Sequence, residues 1–123
     1  MSTADKLRII VVYRADLAEM TRAKGEVQFG HAVAGVLVQV MKSNAELVDH
    51  YMADNQPKIA MEVDDTDALL KIREKAQKRG VPFFLVTDAA HTIFSEPTVT
   101  CIGLGPMNKT DGNSVCREAR MRT

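Results

Sequence analysis

The sequence predicts an α/β fold, because strand-like and helix-like segments alternate along the chain. Two runs rich in β-branched residues, Leu7–Tyr13 and Lys58–Val63, are each followed by segments of helical periodicity, and Pro82–Thr87 is a third apolar run. Such alternation builds an α/β layer sandwich with right-handed crossovers. A fourth run, Thr98–Leu104, follows after only a short loop, so we expect it to lie antiparallel to the third.

The first helix is predicted over Gly25–Lys42. Its apolar residues occupy too many faces for a simple surface stripe, and they are Val27, Phe29, Val33, Val36, Leu37 and Val40. We therefore expect the sheet and a partner molecule to cover this helix. A homodimer is predicted on this basis, since a monomer would have few elements of its own to cover Phe29, Val33, Val36 and Val40.

Two further helices are predicted from their capping residues. Ser43–Glu46 has the pattern of a capping box and starts a short helix that runs to about Ala53. The third helix begins near Asp65, which is flanked by other candidate caps, and it closes at Gly80. Its apolar side is spaced as in a helix and consists of Leu69, Leu70, Ile72 and Ala76.

Composition narrows the class of protein. The chain is expected to form one domain over residues 1–123, with a polar tail from about residue 107 that turns at Asp111–Asn113 and ends in disorder. A formal net charge of zero gives no global basic field, so any RNA site must be a local patch.

No apolar run is long enough for a signal sequence or a membrane span, which predicts a cytoplasmic protein. Cys101 and Cys116 have neither metal-site spacing nor the number of a disulfide framework, so both are predicted to be free thiols.

A functional site is predicted at one edge of the sheet. Lys24 follows the first strand and Asp88 ends the third, so parallel strands would bring both residues to the same carboxyl edge, where α/β proteins bind ligands. Thr92 and Thr100 would add hydroxyl groups that can hold a water molecule or a substrate carbonyl. Threonine also serves often to tie down the local backbone, and that interpretation stays open.

Lys24, Gln28 and His31 are spaced to share one helix face. Periodic polar residues usually form an ordinary solvated stripe, which is one interpretation. Against it, a lysine near a helix N-terminus is disfavoured by the helix dipole, which suggests a compensating carboxylate or an anionic ligand. His31 and His91 are the side chains near this edge whose ordinary pKa lies near neutral pH.

Two common site motifs are missing from the sequence. Neither a nucleophile elbow nor a phosphate-binding glycine loop that opens a helix is present. Gly103 and Gly105 instead close a strand, where glycine lets another backbone approach or ends the sheet.

Taken together, a set of residues resembles the archaeal and eukaryotic type of peptidyl-tRNA hydrolase, the type 2 family. The set comprises Ile9–Arg14 with Asp16-Leu17, Met20, Lys24, Gln28, His31-Ala32, Gln56-Pro57-Lys58, Asp88-Ala89, Thr92, Thr100 and Gly103-Leu-Gly105-Pro106. The resemblance implies a three-layer α/β/α sandwich with a mixed, mostly parallel four-stranded sheet, frequent homodimers, and no metal or organic cofactor. It implies hydrolysis of the ester linking a peptide to tRNA, with activity residues at the positions of Lys24, Asp88, Thr92 and Thr100.

The chain also departs from the family pattern. Ala23 replaces the glycine that usually precedes the lysine, and Ala90-His91-Thr92-Ile93 stands where the family favours Gly-Arg-Thr-Gln. Two hypotheses therefore follow from the resemblance. One is an ester hydrolase for peptidyl-tRNA or a related aminoacyl compound. The other is a non-catalytic dimeric module of the same fold that binds a small ligand or a protein.

In the hydrolase hypothesis each residue has a role. Asp88 orients or deprotonates the attacking water, Lys24 stabilises the oxyanion or a phosphate, and Thr92 and Thr100 position the substrate. His31 is a further candidate base. The predicted substrate-binding residues are Arg22, Gln28 and His91. Binding of tRNA is predicted to use a local basic cluster around Arg22 and Lys24, with no DNA or membrane partner.

Overall fold

The structure is a computed structural model that describes residues 6–89 and 97–123. Its elements in chain order are β1 (Arg8–Arg14), α1 (Arg22–Met41), α2 (Ala45–Ala53), β2 (Lys58–Val63), α3 (Thr66–Arg79), β3 (Phe83–Asp88), β4 (Thr98–Met107), α4 (Lys109–Val115) and β5 (Arg120–Met121). The predicted alternation of strands and helices is confirmed.

The described residues form one mixed sheet of five strands, in the order β3-β4-β1-β2-β5. Strand β1 pairs in parallel with β2 and antiparallel with β4, and β4 pairs antiparallel with β3. The predicted antiparallel fourth strand is therefore confirmed. Although β1–β2 is the one parallel pairing of neighbours in the described sheet, β1, β2 and β3 all run in the same direction, so their carboxyl ends share an edge.

Helices cover both faces of the sheet, which confirms the α/β/α fold class. On one face α1 and α2 pack on alternate residues of β1, among them Ile9 and Val11. On the other face α3 and α4 pack on Ile10 and Val12. This alternation is expected for a central strand buried on both sides. Within the described parts of the chain, no helix is both long and apolar enough to cross a membrane.

The C-terminal region differs from the prediction of a disordered polar tail. Asn108 caps α4 by accepting a hydrogen bond from the Asp111 amide at 2.8 Å, so the predicted turn lies inside a helix. Val115 and Cys116 are buried in the core, and β5 pairs antiparallel with β2. The prediction was wrong because short elements with few apolar residues have weak periodicity, and they are stabilised by contacts with the rest of the fold.

Packing of α1 corrects the reason given for a homodimer. Val36 and Val40 are buried in the core beneath α1, and Phe29 and Val33 are partly buried against the same cluster. These residues therefore need no second subunit to cover them. The large apolar residues that α1 does expose are Val27, Val38 and Met41.

Two glycines allow α1 to lie close to the sheet. A Cβ atom at Gly103 on β4 would lie 2.6 Å from the carbonyl oxygen of Ala32, and one at Gly35 would lie 2.4 Å from the ring of Phe84. The expectation that a glycine here admits another backbone is confirmed at Gly103. These contacts fix the middle of α1 against β4 and β3, and thereby the position of its N-terminal half.

Candidate active site

The predicted pair of Lys24 and Asp88 is confirmed. Thr21 caps α1 by accepting a hydrogen bond from the Lys24 amide at 3.1 Å, which sets Lys24 in the first turn beside the end of β3. Lys24 Nζ lies 2.9 Å from Asp88 Oδ2, and the two side chains are 13% and 6% exposed. Since the first turn of α1 has no acidic residue, Asp88 supplies the negative charge that this helix end favours.

Gln28 and Thr100 lie beneath this pair and are buried. Gln28 Nε2 donates to Asp88 Oδ2 at 3.4 Å, and Gln28 Oε1 accepts from the Thr100 hydroxyl at 2.8 Å. A carboxylate can only accept hydrogen bonds, so the amide must turn its nitrogen to Asp88 and its oxygen to Thr100. Hydrogen bonds thus run from β4 through α1 to β3 and hold the Asp88 carboxylate in place. We call Lys24, Gln28, Asp88 and Thr100 the edge network.

The remaining predicted residues lie in several places. His31 is exposed on α1, outside the edge network. Arg22 is exposed and forms an ion pair with Glu26 at 3.5 Å. The hydroxyl of Thr100 is buried and faces Gln28 rather than the opening of the site. His91 and Thr92 lie outside the described residues.

Burial also decides between the two interpretations of the α1 polar residues. Gln28 is buried and Lys24 is largely covered, so neither belongs to a solvated stripe, whereas His31 is exposed as that interpretation expects. Both cysteines are free and buried, as predicted for Cys101. Burial raises the pKa of each thiol to about 12.

Sequence reasoning missed Arg14, which ends β1 at the same sheet edge. Its guanidinium donates to both carboxylate oxygens of Asp16 at 2.8 and 3.0 Å, and to the Val99 carbonyl at 3.1 Å. The hydrogen bond from Arg14 holds the pKa of Asp16 below its ordinary value. The sequence did contain a signal for this residue, since Arg14 is a positively charged residue directly after a predicted buried strand. Arg14 ties the loop after β1 to β4 and so stiffens this edge.

A second site lies on the other side of the first turn of α1, in a cleft of about 670 Å³. We call it the α1–β2 cleft, and its walls include Tyr13, Arg22, Glu26, Phe29, Ala60 and Arg122. The Tyr13 hydroxyl donates to the Gly25 carbonyl at 2.7 Å, and the Arg122 guanidinium lies 4.0 Å from the centre of the Tyr13 ring. Burial raises the pKa of Tyr13.

The chemistry open to the edge network follows from its groups. A fixed carboxylate can orient a water molecule, and an ammonium group beside it can stabilise negative charge that develops on a reacting oxygen. Within residues 6–89 and 97–123, no group of three histidine, cysteine, aspartate or glutamate side chains is arranged to hold a metal ion.

Comparisons with known proteins agree with the resemblance found in the sequence. The family model described as peptidyl-tRNA hydrolase PTH2 matches residues 7–121. Peptidyl-tRNA hydrolase from Methanopyrus kandleri is 37% identical over 97 residues, which cover 79% of this chain and 82% of that protein. The enzyme of the same name from Thermoplasma volcanium is 33% identical over 100 residues, or 81% and 85% of the two chains.

A structural comparison supports the fold. The structure of a protein of unknown function from Agrobacterium tumefaciens is similar with a TM-score of 0.59 at 18% identity, and the match covers 96% of this chain and 98% of that one. At this identity the likeness shows the fold alone. The family match over residues 7–121 carries the assignment, and the chain belongs to the PTH2 family of peptidyl-tRNA hydrolases.

Proposed function

We propose that this protein hydrolyses the ester that links a peptide to tRNA, by attack of water at the edge network. The proposal rests mainly on the largely buried Lys24–Asp88 pair at 2.9 Å. Gln28 donates a hydrogen bond to Asp88 and accepts one from Thr100, which positions the pair. A carboxylate whose Oδ2 contacts both Lys24 and Gln28 is oriented to hold a water molecule, and family membership supports the substrate class.

In the proposed reaction, Asp88 orients the water and accepts its proton as the water oxygen bonds to the ester carbonyl carbon. Lys24 stabilises the negative charge that forms on the carbonyl oxygen. The carbon–oxygen bond to the ribose then breaks, and the ribose oxygen takes the proton from Asp88, which restores the carboxylate. Gln28 and Thr100 are buried, so their proposed role is to position the Asp88 carboxylate rather than to contact substrate.

The other candidate residues have supporting roles in this proposal. Thr92, which matches the family pattern, positions the acyl group, and His91, which stands where the family favours arginine, contacts substrate. Asp88 is preferred to His31 as the base because His31 is exposed on α1 and lies outside the edge network. Arg22, whose side chain is exposed, supplies a local positive charge for tRNA, whereas the Lys24 charge is paired with Asp88. Binding should therefore weaken as salt concentration rises, and Arg22→Ala should reduce it with little loss of stability.

We also propose a homodimer, with an interface formed by residues of α1 other than those named in the sequence-based prediction. The exposed apolar residues of α1 are Val27, Val38 and Met41, and an antiparallel second copy of α1 centred on Ala34 would cover them. Sedimentation at micromolar concentration tests this, and a Val38→Asp variant that sediments like the wild type would exclude the arrangement.

The central experiment measures release of a labelled acyl group from an N-blocked aminoacyl-tRNA. Wild-type protein should release the label well above the buffer control, and Asp88→Asn should slow release strongly at nearly constant shape. Asp49→Asn, which removes an exposed carboxylate on α2, is the matched control and should keep the wild-type rate. Release no faster than buffer with folded wild-type protein would refute the proposal and leave a binding module of the same fold.

A further inference from the structure

The α1–β2 cleft takes no part in the proposed reaction, yet it adjoins the edge network. Lys24 and Gly25 are neighbours in the first turn of α1, and Tyr13 at the base of the cleft is hydrogen-bonded to the Gly25 carbonyl at 2.7 Å. Lys24 faces Asp88 on one side of this turn, whereas Gly25 faces the cleft on the other. A ligand in the cleft would therefore lie across the first turn of α1 from an ester held at Lys24 and Asp88.

The most distinctive group in the cleft is the Arg122 guanidinium. Its central carbon lies over the Tyr13 ring, 4.0 Å from the ring centre, and one of its nitrogens forms an ion pair with Glu62 at 3.8 Å. The Arg122 amide donates to the Ala60 carbonyl at 3.1 Å, which anchors this residue to β2. Its side chain remains 26% exposed and lines the cleft. The guanidinium is thus held by groups of β1 and β2, and the Phe29 ring lines the same cleft.

Resting on the proposed function, we propose that the α1–β2 cleft binds the terminal nucleobase of the tRNA acceptor strand. That end of tRNA is single-stranded, and its last nucleoside carries the ester. Unpaired bases commonly stack on guanidinium planes and aromatic rings, which here are Arg122 and Phe29. The volume of about 670 Å³ lies in the range of small-ligand sites.

The polar groups of the cleft favour a nucleobase over an apolar side chain of the peptide. Arg22, Glu26 and Arg122 all line it, so it offers hydrogen-bond donors and acceptors to the edge of a planar ligand. An apolar side chain would cover these charged groups without replacing their hydrogen bonds to water, which is costly. The family match ends at residue 121, so Arg122 lies beyond the part of the chain that the match covers.

The test uses Arg122→Lys, which keeps the positive charge and removes the planar guanidinium group. Arg117→Lys is the matched control, because Arg117 is an exposed arginine away from this cleft. The substrates are an N-acetylaminoacyl ester of adenosine and the ethyl ester of the same N-acetylamino acid. Arg122→Lys should lower kcat/KM for the adenosine ester about 10-fold, mainly through KM, and leave that for the ethyl ester unchanged. Arg117→Lys should change neither.

Other outcomes have defined meanings. An equal loss on both esters would show that Arg122 acts structurally, and wild-type rates on both would show that it contacts no base; either overturns the inference while leaving the hydrolase proposal intact. If the wild-type protein hydrolyses neither the two esters nor the N-blocked aminoacyl-tRNA, the proposed function fails, and direct binding of adenosine tests the inference instead. Adenosine should then show saturation transfer from protein protons that Arg122→Lys weakens and Arg117→Lys retains. Absence of that transfer at millimolar adenosine overturns the inference.

Discussion

Replacing Lys24 by methionine separates the stability of the edge network from its chemistry. The substitution keeps a long side chain but removes the cation 2.9 Å from Asp88, whose side chain is 6% exposed. Removing one partner of a buried ion pair costs about 3–5 kcal/mol, and the partial exposure of Lys24 places the loss at the lower end, at about 3 kcal/mol. For 123 residues the unfolding entropy converts each kcal/mol to about 4 °C, so the melting temperature should fall by about 12 °C.

The second variant tests the cause of that loss. In Lys24→Met/Asp88→Asn no charge is left unpaired, so the double variant should regain about 2 kcal/mol relative to Lys24→Met, as a double-mutant cycle would report. Release of acyl groups from tRNA should remain slow in both variants, because the groups proposed to act on the ester are missing. Urea unfolding and the release assay measure the two quantities on the same preparations. A loss below about 1 kcal/mol in Lys24→Met would show an ordinary surface pair and refute this reasoning.

Three further predictions concern the groups around the network. Thr100→Val should cost about 1–3 kcal/mol and slow acyl release, because the Gln28 oxygen loses its donor at 2.8 Å; Thr100→Ser should restore both. Gly103→Ala should lower the melting temperature and the release rate by forcing α1 off β4, whereas Gly30→Ala, which meets no atom within 4 Å, should stabilise by about 1 kcal/mol. Burial raises the pKa of Cys101 and Cys116 from about 9 in the unfolded chain to about 12 in the fold. The free energy of unfolding that this difference supplies is therefore fully present below pH 9 and is lost as the pH rises toward 12. Urea unfolding at pH 8, 9 and 10 should show a steady decline, and equal stability at these three values would contradict the prediction.

The sequence could predict contacts that follow from the direction of the strands. It could not predict contacts that depend on the orientation of individual side chains. Two strands of the same direction suffice to bring Lys24 and Asp88 to one edge, and that direction follows from the crossovers. The inward position of Gln28 was not predictable, because its spacing suits a buried face and a solvated face equally. The capping residue of α2 is Asn44 rather than Ser43, and both are good caps by type.

The role of Arg122 was hidden for a different reason. Its position depends on β5, a strand of two residues that forms only by pairing with β2, far away in sequence. No periodicity exists in so short a segment, and the flanking residues are polar. The structure of the C-terminal region therefore comes from contacts with an already formed sheet, which a local sequence pattern does not record.

The close contact between Ala32 and Gly103 has a mechanical consequence for α1. This contact lies near the middle of a helix that spans Arg22–Met41, so it is a point about which the helix can tilt. Lys24 lies about 12 Å along the axis on one side and Met41 about 13 Å on the other, from the rise of an α-helix. A rigid helix tilted about that point moves its two ends by similar amounts in opposite directions. Any tilt of α1 about this point would therefore change the distance between the Lys24 ammonium group and Asp88.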